Sequence, residues 1–185
     1  MIDDLLQDAR EHMDKSVEAT RNKFQSVRAG RASPSLLDRI AVDYYGTMTP
    51  LRQMATINAP EPRLLTVQPY DKSSIKAIER AIMESDLGLT PNNDGSLIRL
   101  VLPELTEERR KQLVKVVRGL TEEGKVALRN IRRDVMHDLK ELRDEGEAGA
   151  DDEHRAEEAL QKLTDEKVKE LDALLKGKEA EILEV

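Results

Sequence analysis

The sequence predicts an α+β fold in which a long three-helix bundle carries a small inserted β/α/β domain. Three observations predict it. Two stretches, one at each end of the chain, repeat apolar residues every three or four positions with charges between them. All seven prolines fall between Pro34 and Pro103, in a middle block whose short runs are rich in β-branched residues. The chain has 185 residues, 38% of them apolar and 36% charged, which suits one average domain or two small ones and does not suit a disordered polymer.

Residues 2–29 place Ile2, Leu6, Ala9, Met13, Val17, Thr20, Phe24 and Val27 on one helical stripe. Gly30 is the expected stop, because glycine takes the left-handed cap conformation without a Cβ penalty, and Pro34 cannot extend a helical ladder. In the middle block IAVDYY, MATIN, RLLTVQP and LIRLVLP read as strands. Between them SSIKAIERAIMESDLG reads as one helix, with Ser73 or Ser74 as its N-cap and Ile75, Ile78 and Ile82 on one side. NNDG at 92–95 reads as a turn, since Asn, Asp and Gly tolerate positive φ.

Helical text resumes at Leu105, with Thr106 as the expected N-cap, and holds to about Glu145. Leu113, Val117, Leu120, Gly124, Ala127, Ile131, Val135 and Leu142 are the expected core stripe. After a glycine-broken acidic turn, residues 152–184 repeat the pattern through Ala156, Leu160, Leu163, Val168, Leu171, Leu175 and Ile182. Long helices with one apolar stripe each are not stable alone in water, so the three are expected to pack together. The expected division is a bundle of residues 1–30 and 105–185 and a module of residues 31–104. The connections at 29–32 and 103–106 would form a hinge or elbow from Gly30, Arg31, Pro103, Glu104 and Leu105.

Composition excludes several functions. The absence of cysteine removes disulfides, zinc-thiolate sites and thiol nucleophiles, and points to the cytoplasm. With Phe24, Tyr44, Tyr45 and Tyr70 as its only aromatics, the chain has no platform on which bases could stack in series. Tyr44, Tyr45 and Gly46 at a strand end read as structural before functional, because neighbouring strand residues face opposite ways. The N-terminus is acidic and interrupted, unlike a secretory signal, and no apolar run is long enough to span a bilayer. His12, His137 and His154 lack neighbours at metal-ligand spacing, and no phosphate loop, nucleophile elbow or dinucleotide fingerprint occurs. The expectation is therefore no enzyme, no metal and no cofactor, and a monomer, since no heptad seam is left over.

One face calls for a function. The net charge is -7, yet residues 109–133 hold nine Lys and Arg against two Glu, a local charge of +7, while residues 144–185 carry -9. Lys111, Arg118, Lys125, Arg129 and Arg132 form a line on the middle helix, about 125° from the expected core stripe. Lys115 and Arg133 stand beside it. Two readings stand: a solvated helix face, or a surface for nucleic acid or another phosphate. The scarcity of interleaved acids and the dominance of arginine, whose planar fork suits phosphate, favour the second. A helical adaptor for an acidic protein and a chaperone-like holdase remain the competing classes.

At GRASPSLLDRIAVDYYG, TPLRQMATINAPEPRLLTVQPYD, IERAIMESDLGLTPNNDG, LPELTEERRKQLVK and ALRNIRRD the sequence resembles the bacterial ribosome recycling factors, in collinear order over essentially the whole chain. The resemblance implies an L-shaped molecule with a tRNA-like outline. It also implies a protein that enters the post-termination ribosome, lays its bundle on large-subunit ribosomal RNA, and separates the subunits with elongation factor G and GTP. It places ribosome contacts on Arg129, Arg132 and Arg133 of RNIRRD and on Arg110 of ERRK. The segment around VMHDLKELRDEGEAGADDE matches loosely.

Overall fold

The structure is a computed structural model that describes residues 1–27 and 30–184. The chain divides into two compact units, Met1–Ala29 with Glu107–Val185, and Gly30–Thr106. The expected connection at Arg28 and Ala29 lies outside the described residues.

The first unit contains α1 (Ile2–Gln25), α4 (Glu107–Asp144) and α5 (Ala150–Leu183). Helix α1 ends about a turn before the expected stop. The Ser26 backbone N–H and hydroxyl both donate to the Lys23 carbonyl, which draws the chain out of the α-helical ladder ahead of Gly30. At the other end of the bundle Gly146, at φ +78°, closes α4. Its N–H donates to Arg143 O and that of Glu147 to Leu142 O, the two bonds of a Schellman cap. Helix α5 then begins at Ala150, earlier than the sequence pattern indicated, with Asp151, Asp152 and Glu153 in its first turn, where carboxylates meet the positive helix end.

The core of this unit joins Ala9, Met13 and Val17 of α1 to Leu128, Val135 and Leu139 of α4 and Leu160, Leu163 and Leu171 of α5. The α4 stripe differs from the one expected. Thr121, Leu128 and Leu139 are buried, whereas Leu120, Ala127, Ile131 and Leu142 are only half-buried. Two neighbours, not one, cover α4, so its inward direction lies between them and turns away from the most apolar stripe. The buried threonines satisfy themselves along their own helices: Thr20 donates to Ser16 O, Thr121 to Val117 O and Thr164 to Leu160 O. At Gly124 side chains of both other helices press against α4, since a Cβ there would lie 2.6 Å from Thr20 Oγ1 and 3.1 Å from Leu171 Cδ1.

Helix α5 buries two charges that its apolar pattern did not reveal. The Lys167 side chain is 8% exposed and lies 2.6 Å from Asp14 of α1 and 3.0 Å from Glu170. The Asp14 bond leads in raising the Lys167 pKa above the ordinary lysine value. Glu153 reaches Arg143 of α4 at 3.0 Å beside the turn.

The second unit holds a hairpin of β1 (Ala41–Tyr44) and β2 (Thr47–Pro50), the short helix α2 (Leu51–Met54), and a four-stranded antiparallel sheet. The sheet consists of β3 (Ala55–Glu61), β4 (Leu64–Pro69), β5 (Pro91–Asn93) and β6 (Ile98–Val101) in the order β3-β4-β6-β5, with α3 (Ile75–Glu84) between β4 and β5 in the chain. Pro60 and Pro91 sit on the two edge strands, where a missing N–H leaves no ladder bond unmade. Leu65 and Val67 of β4 and Ile98 and Leu100 of β6 alternate inward and pack with Ile75, Ile78 and Ile82 of α3. Tyr45 and Gly46 take positive φ in the two-residue β1–β2 turn, as its right-handed twist requires.

Strands β2 and β5 and helix α2 were not expected. Ser74 is the α3 N-cap residue, one of the two expected, but its side chain makes no cap bond; Asp71 accepts from Ser73 N and caps the short 3-10 turn at Lys72–Ser74 that leads into α3. Asp71 further accepts from Ser73 Oγ at 2.7 Å and from the Tyr44 hydroxyl at 2.8 Å, and these bonds hold its carboxyl below the ordinary range.

Asn92 and Asn93 belong to β5, so the turn before β6 starts at Asp94. Asp94 Oδ1 accepts from Ser96 N and Leu97 N, and Oδ2 from Arg99 Nη1. The Ser96 and Leu97 backbone bonds lead in holding its pKa down to about 2. A carboxyl depressed in the folded state stabilises above its unfolded pKa and loses that contribution as pH falls through the folded value. A carbon-detected NMR titration is therefore expected to place the Asp94 midpoint near 2, with the turn loosening between about pH 4 and pH 2.

Candidate nucleic-acid interface

The basic residues of α4 separate into two groups once its neighbours are in place. Lys111, Arg118, Lys125 and Arg132 recur every seven residues, close to two helical turns, so they keep to one side of α4. For Arg118, Lys125 and Arg132 that side adjoins α5. Arg118 Nε meets Glu179 Oε1 at 2.6 Å, Lys125 Nζ meets Asp172 Oδ1 at 2.7 Å, and Arg132 Nη1 donates to Gln161 Oε1 at 2.6 Å. Gln161 in turn donates to Asp165 at 2.9 Å. The numbers fall along α5 as they rise along α4, as antiparallel helices require. Lys111 pairs within its own helix with Glu107 at 3.2 Å.

Exposure ranks these cations. The Lys125 side chain is 19% exposed, folded into the seam, while that of Arg118 is 63% exposed beside its partner. Arg132 is half-buried, and its Nε is shielded with no acceptor. Arg110, in the first turn of α4, is likewise half-buried with an unpaired Nε.

Arg129 and Arg133 form the second group. Both are exposed; Arg129 approaches a carboxylate only at 4.0 Å, from Glu122, and Arg133 donates to the neutral Asn130 at 3.2 Å. With Val126, Asn130, Arg132 and Met136 they line an open depression of about 480 Å³. The guanidinium groups supply directed donors, Asn130 adds an amide, and Val126 and Met136 add apolar surface to the lining. This is the chemistry that grips a sugar-phosphate backbone without reading bases. The sequence reading missed Val126, Asn130 and Met136, whose only signal was their place three, four or seven residues from the arginines.

The residues expected to form a hinge lie together within the second unit. Gly30 has φ +75°, and a Cβ there would lie 3.0 Å from Leu105 Cγ. Ala32 N donates to Pro62 O and Leu102 N to Arg63 O, and Glu104 pairs with Arg63 at 3.7 Å. Arg31 and Pro103 flank these contacts, both exposed.

Other features do not form a site. His137 and His154 sit beside Glu141 and Glu158 one turn along their own helices. Among the described residues no group of three His, Asp or Glu could hold a metal ion, and no helix is long and apolar enough to cross a membrane.

The comparisons with known proteins agree over the whole length. The family model for ribosome recycling factor matches residues 20–183. The ribosome-recycling factor of Rubrobacter xylanophilus is 57% identical over 180 residues, covering 97% of each chain. A solution structure of a ribosome recycling factor aligns with a TM-score of 0.75 at 41% identity, over 100% of this chain and 98% of that one. Another aligned structure comes from models of the T. thermophilus ribosome recycling factor and E. coli elongation factor G bound to the E. coli post-termination complex. It has a TM-score of 0.63 at 48% identity and 99% coverage of both chains. On these matches, the chain belongs to the ribosome recycling factor family.

Proposed function

We propose that this chain separates post-termination ribosomes into subunits together with elongation factor G, and that the outer face of α4 around Arg129 and Arg133 is its contact with large-subunit ribosomal RNA. The observation that carries the contact is the convergence of Arg129, Asn130, Arg132 and Arg133 on one open depression. Family membership supports the partner: a similar structure, 48% identical, is of a factor placed with elongation factor G on the post-termination complex.

In this reading the chain acts in the cytoplasm as a single copy and does no chemistry of its own. GTP hydrolysis by elongation factor G supplies the work, and this chain transmits it. Arginine–phosphate bonds fix the register of α4 on the RNA, and RNA shape supplies the selectivity. Arg110 and Arg132, both half-buried with a shielded Nε that has no partner, add further contacts once their side chains turn outward to an acceptor. The crossing at Gly30 and Leu105 is the hinge through which the inserted unit is driven.

The test mixes the purified chain with post-termination ribosomes, elongation factor G and GTP and follows subunit separation by light scattering. A fall in scattering that needs all components is the expected result. Co-sedimentation with ribosomes but no fall in scattering leaves a ribosome-bound adaptor instead.

A further inference from the structure

Two cations of the α4 line are already occupied by carboxylates of another helix, and what that does to RNA binding follows from where the pairs stand. Glu179 and Asp172 sit seven residues apart on α5 and meet Arg118 and Lys125, seven apart on α4. We propose that Asp172 and Glu179 are specificity-determining residues: by holding Lys125 and Arg118 across the α4–α5 seam, they withhold those charges from phosphate. Around the depression this leaves Arg129 and Arg133 as the cations open to RNA without a close carboxylate. The proposal rests on the reading of α4 as the RNA contact.

Stability does not account for the pairs. Each pair keeps one member in solvent, Asp172 at 51% and Arg118 at 63% exposed, so screening leaves it a modest contribution to folding, and the α4–α5 packing already rests on Leu128, Leu139, Leu160 and Leu171. Their effect on the field is larger. A carboxylate oxygen 2.6 Å from the Arg118 guanidinium takes the place a phosphate oxygen would take, and being tethered it has a high effective concentration. A phosphate that displaces it gains one anion contact and exposes another anion beside itself. Arg129 and Arg133 carry no such close anion, since their nearest partners are Glu122 at 4.0 Å and neutral Asn130. RNA of arbitrary shape therefore finds few uncompensated cations in a row. A surface shaped to the Arg129 end loses nothing. Weak binding to the wrong RNA is obtained without weakening binding to the right one.

The experiment uses the full chain carrying Asp172→Asn and Glu179→Gln. Its binding to a labelled oligouridylate is measured by fluorescence anisotropy across a salt series, beside its binding to post-termination ribosomes. Two released cations are expected to steepen the salt slope by about 1.4, at about 0.7 per phosphate contact on single strands, and to raise affinity at low salt about tenfold. Ribosome affinity is expected to change much less. A control carrying Asp151→Asn and Glu166→Gln alters net charge equally away from the seam, and is expected to keep the parent slope. An oligouridylate slope and affinity equal to the parent's overturn the proposal, as does a control that binds as tightly as the seam variant. If the double variant melts early, Glu179→Gln alone reads the same effect at about half the slope change.

Arg129→Ala separates the two readings. Weakened ribosome binding there, with no slope change in the seam variant, rejects the seam proposal alone. Unchanged ribosome binding rejects the interface, while a steeper oligouridylate slope still upholds the action of the pairs on RNA.

Discussion

Replacing Arg129 and Arg133 together with alanine is expected to lower affinity for post-termination ribosomes about a hundredfold at low salt, with helix content and melting temperature unchanged. Each guanidinium is exposed on the outer face of α4, and neither is held by a close carboxylate. Loss of a charge-assisted contact to phosphate costs on the order of 1.5–3 kcal/mol, so two such losses reach this range. The effect is expected to shrink as salt rises, because the contribution is largely counterion release. Co-sedimentation across a salt series checks it, and unchanged binding at low salt would remove this end of α4 from the interface. Alanine is a strong helix former, so the fold is not at risk from the substitution itself.

The second large effect concerns stability. Gly124→Ala is expected to destabilise the helical unit by about 1–3 kcal/mol, the range for forcing an extra carbon into a packed interior. In an open helix the same change gains about 1 kcal/mol, because glycine is a poor helix former. The sign reverses here because the new Cβ would stand 2.6 Å from Thr20 Oγ1. Adding Thr20→Ala removes that oxygen, leaving Leu171 Cδ1 at 3.1 Å as the nearest neighbour, and most of the loss is expected to return. Urea unfolding of the two single variants and the double variant measures the coupling. Additive losses would mean that Thr20 is not what Gly124 accommodates.

The sequence carried the fold class because the features that decide it are local. Apolar residues three and four apart mark α1, α4 and α5, and alternation marks β4 and β6. What it did not carry depended on neighbours. Strand β5 is Pro-Asn-Asn, with no β-branched residue, and exists because β6 offers it an edge. Lys167 is legible as a buried residue only when Asp14 of another helix stands beside it. The line of cations on α4 was visible in the sequence, but an arc about 125° from the apparent core is a flank and not the outermost face. A flank meets whatever helix packs there. Once α5 occupies it, Arg118 and Lys125 go to the seam, and Arg129 and Arg133 stay exposed without a close carboxylate. The signal that could have separated them was present in α5, where Asp172 and Glu179 repeat the same interval of seven.

The contact between Gly30 and Leu105 also bears on the order in which the chain acquires its structure. Helix α1 and its partner α4 are about eighty residues apart, between Gln25 and Glu107. Were the intervening chain disordered, bringing the two helices together would require closing that entire loop. Once the inserted sheet has formed, its entrance and exit are pinned side by side, with Ala32 and Leu102 bonded to the adjacent Pro62 and Arg63. The effective loop then shrinks to a few residues, and the entropy of closure falls by roughly 2–3 kcal/mol on logarithmic loop scaling. A nascent chain that folds its insert first converts a distant encounter into a local one, and α1 waits at the N-terminus for a partner that arrives already tethered beside it.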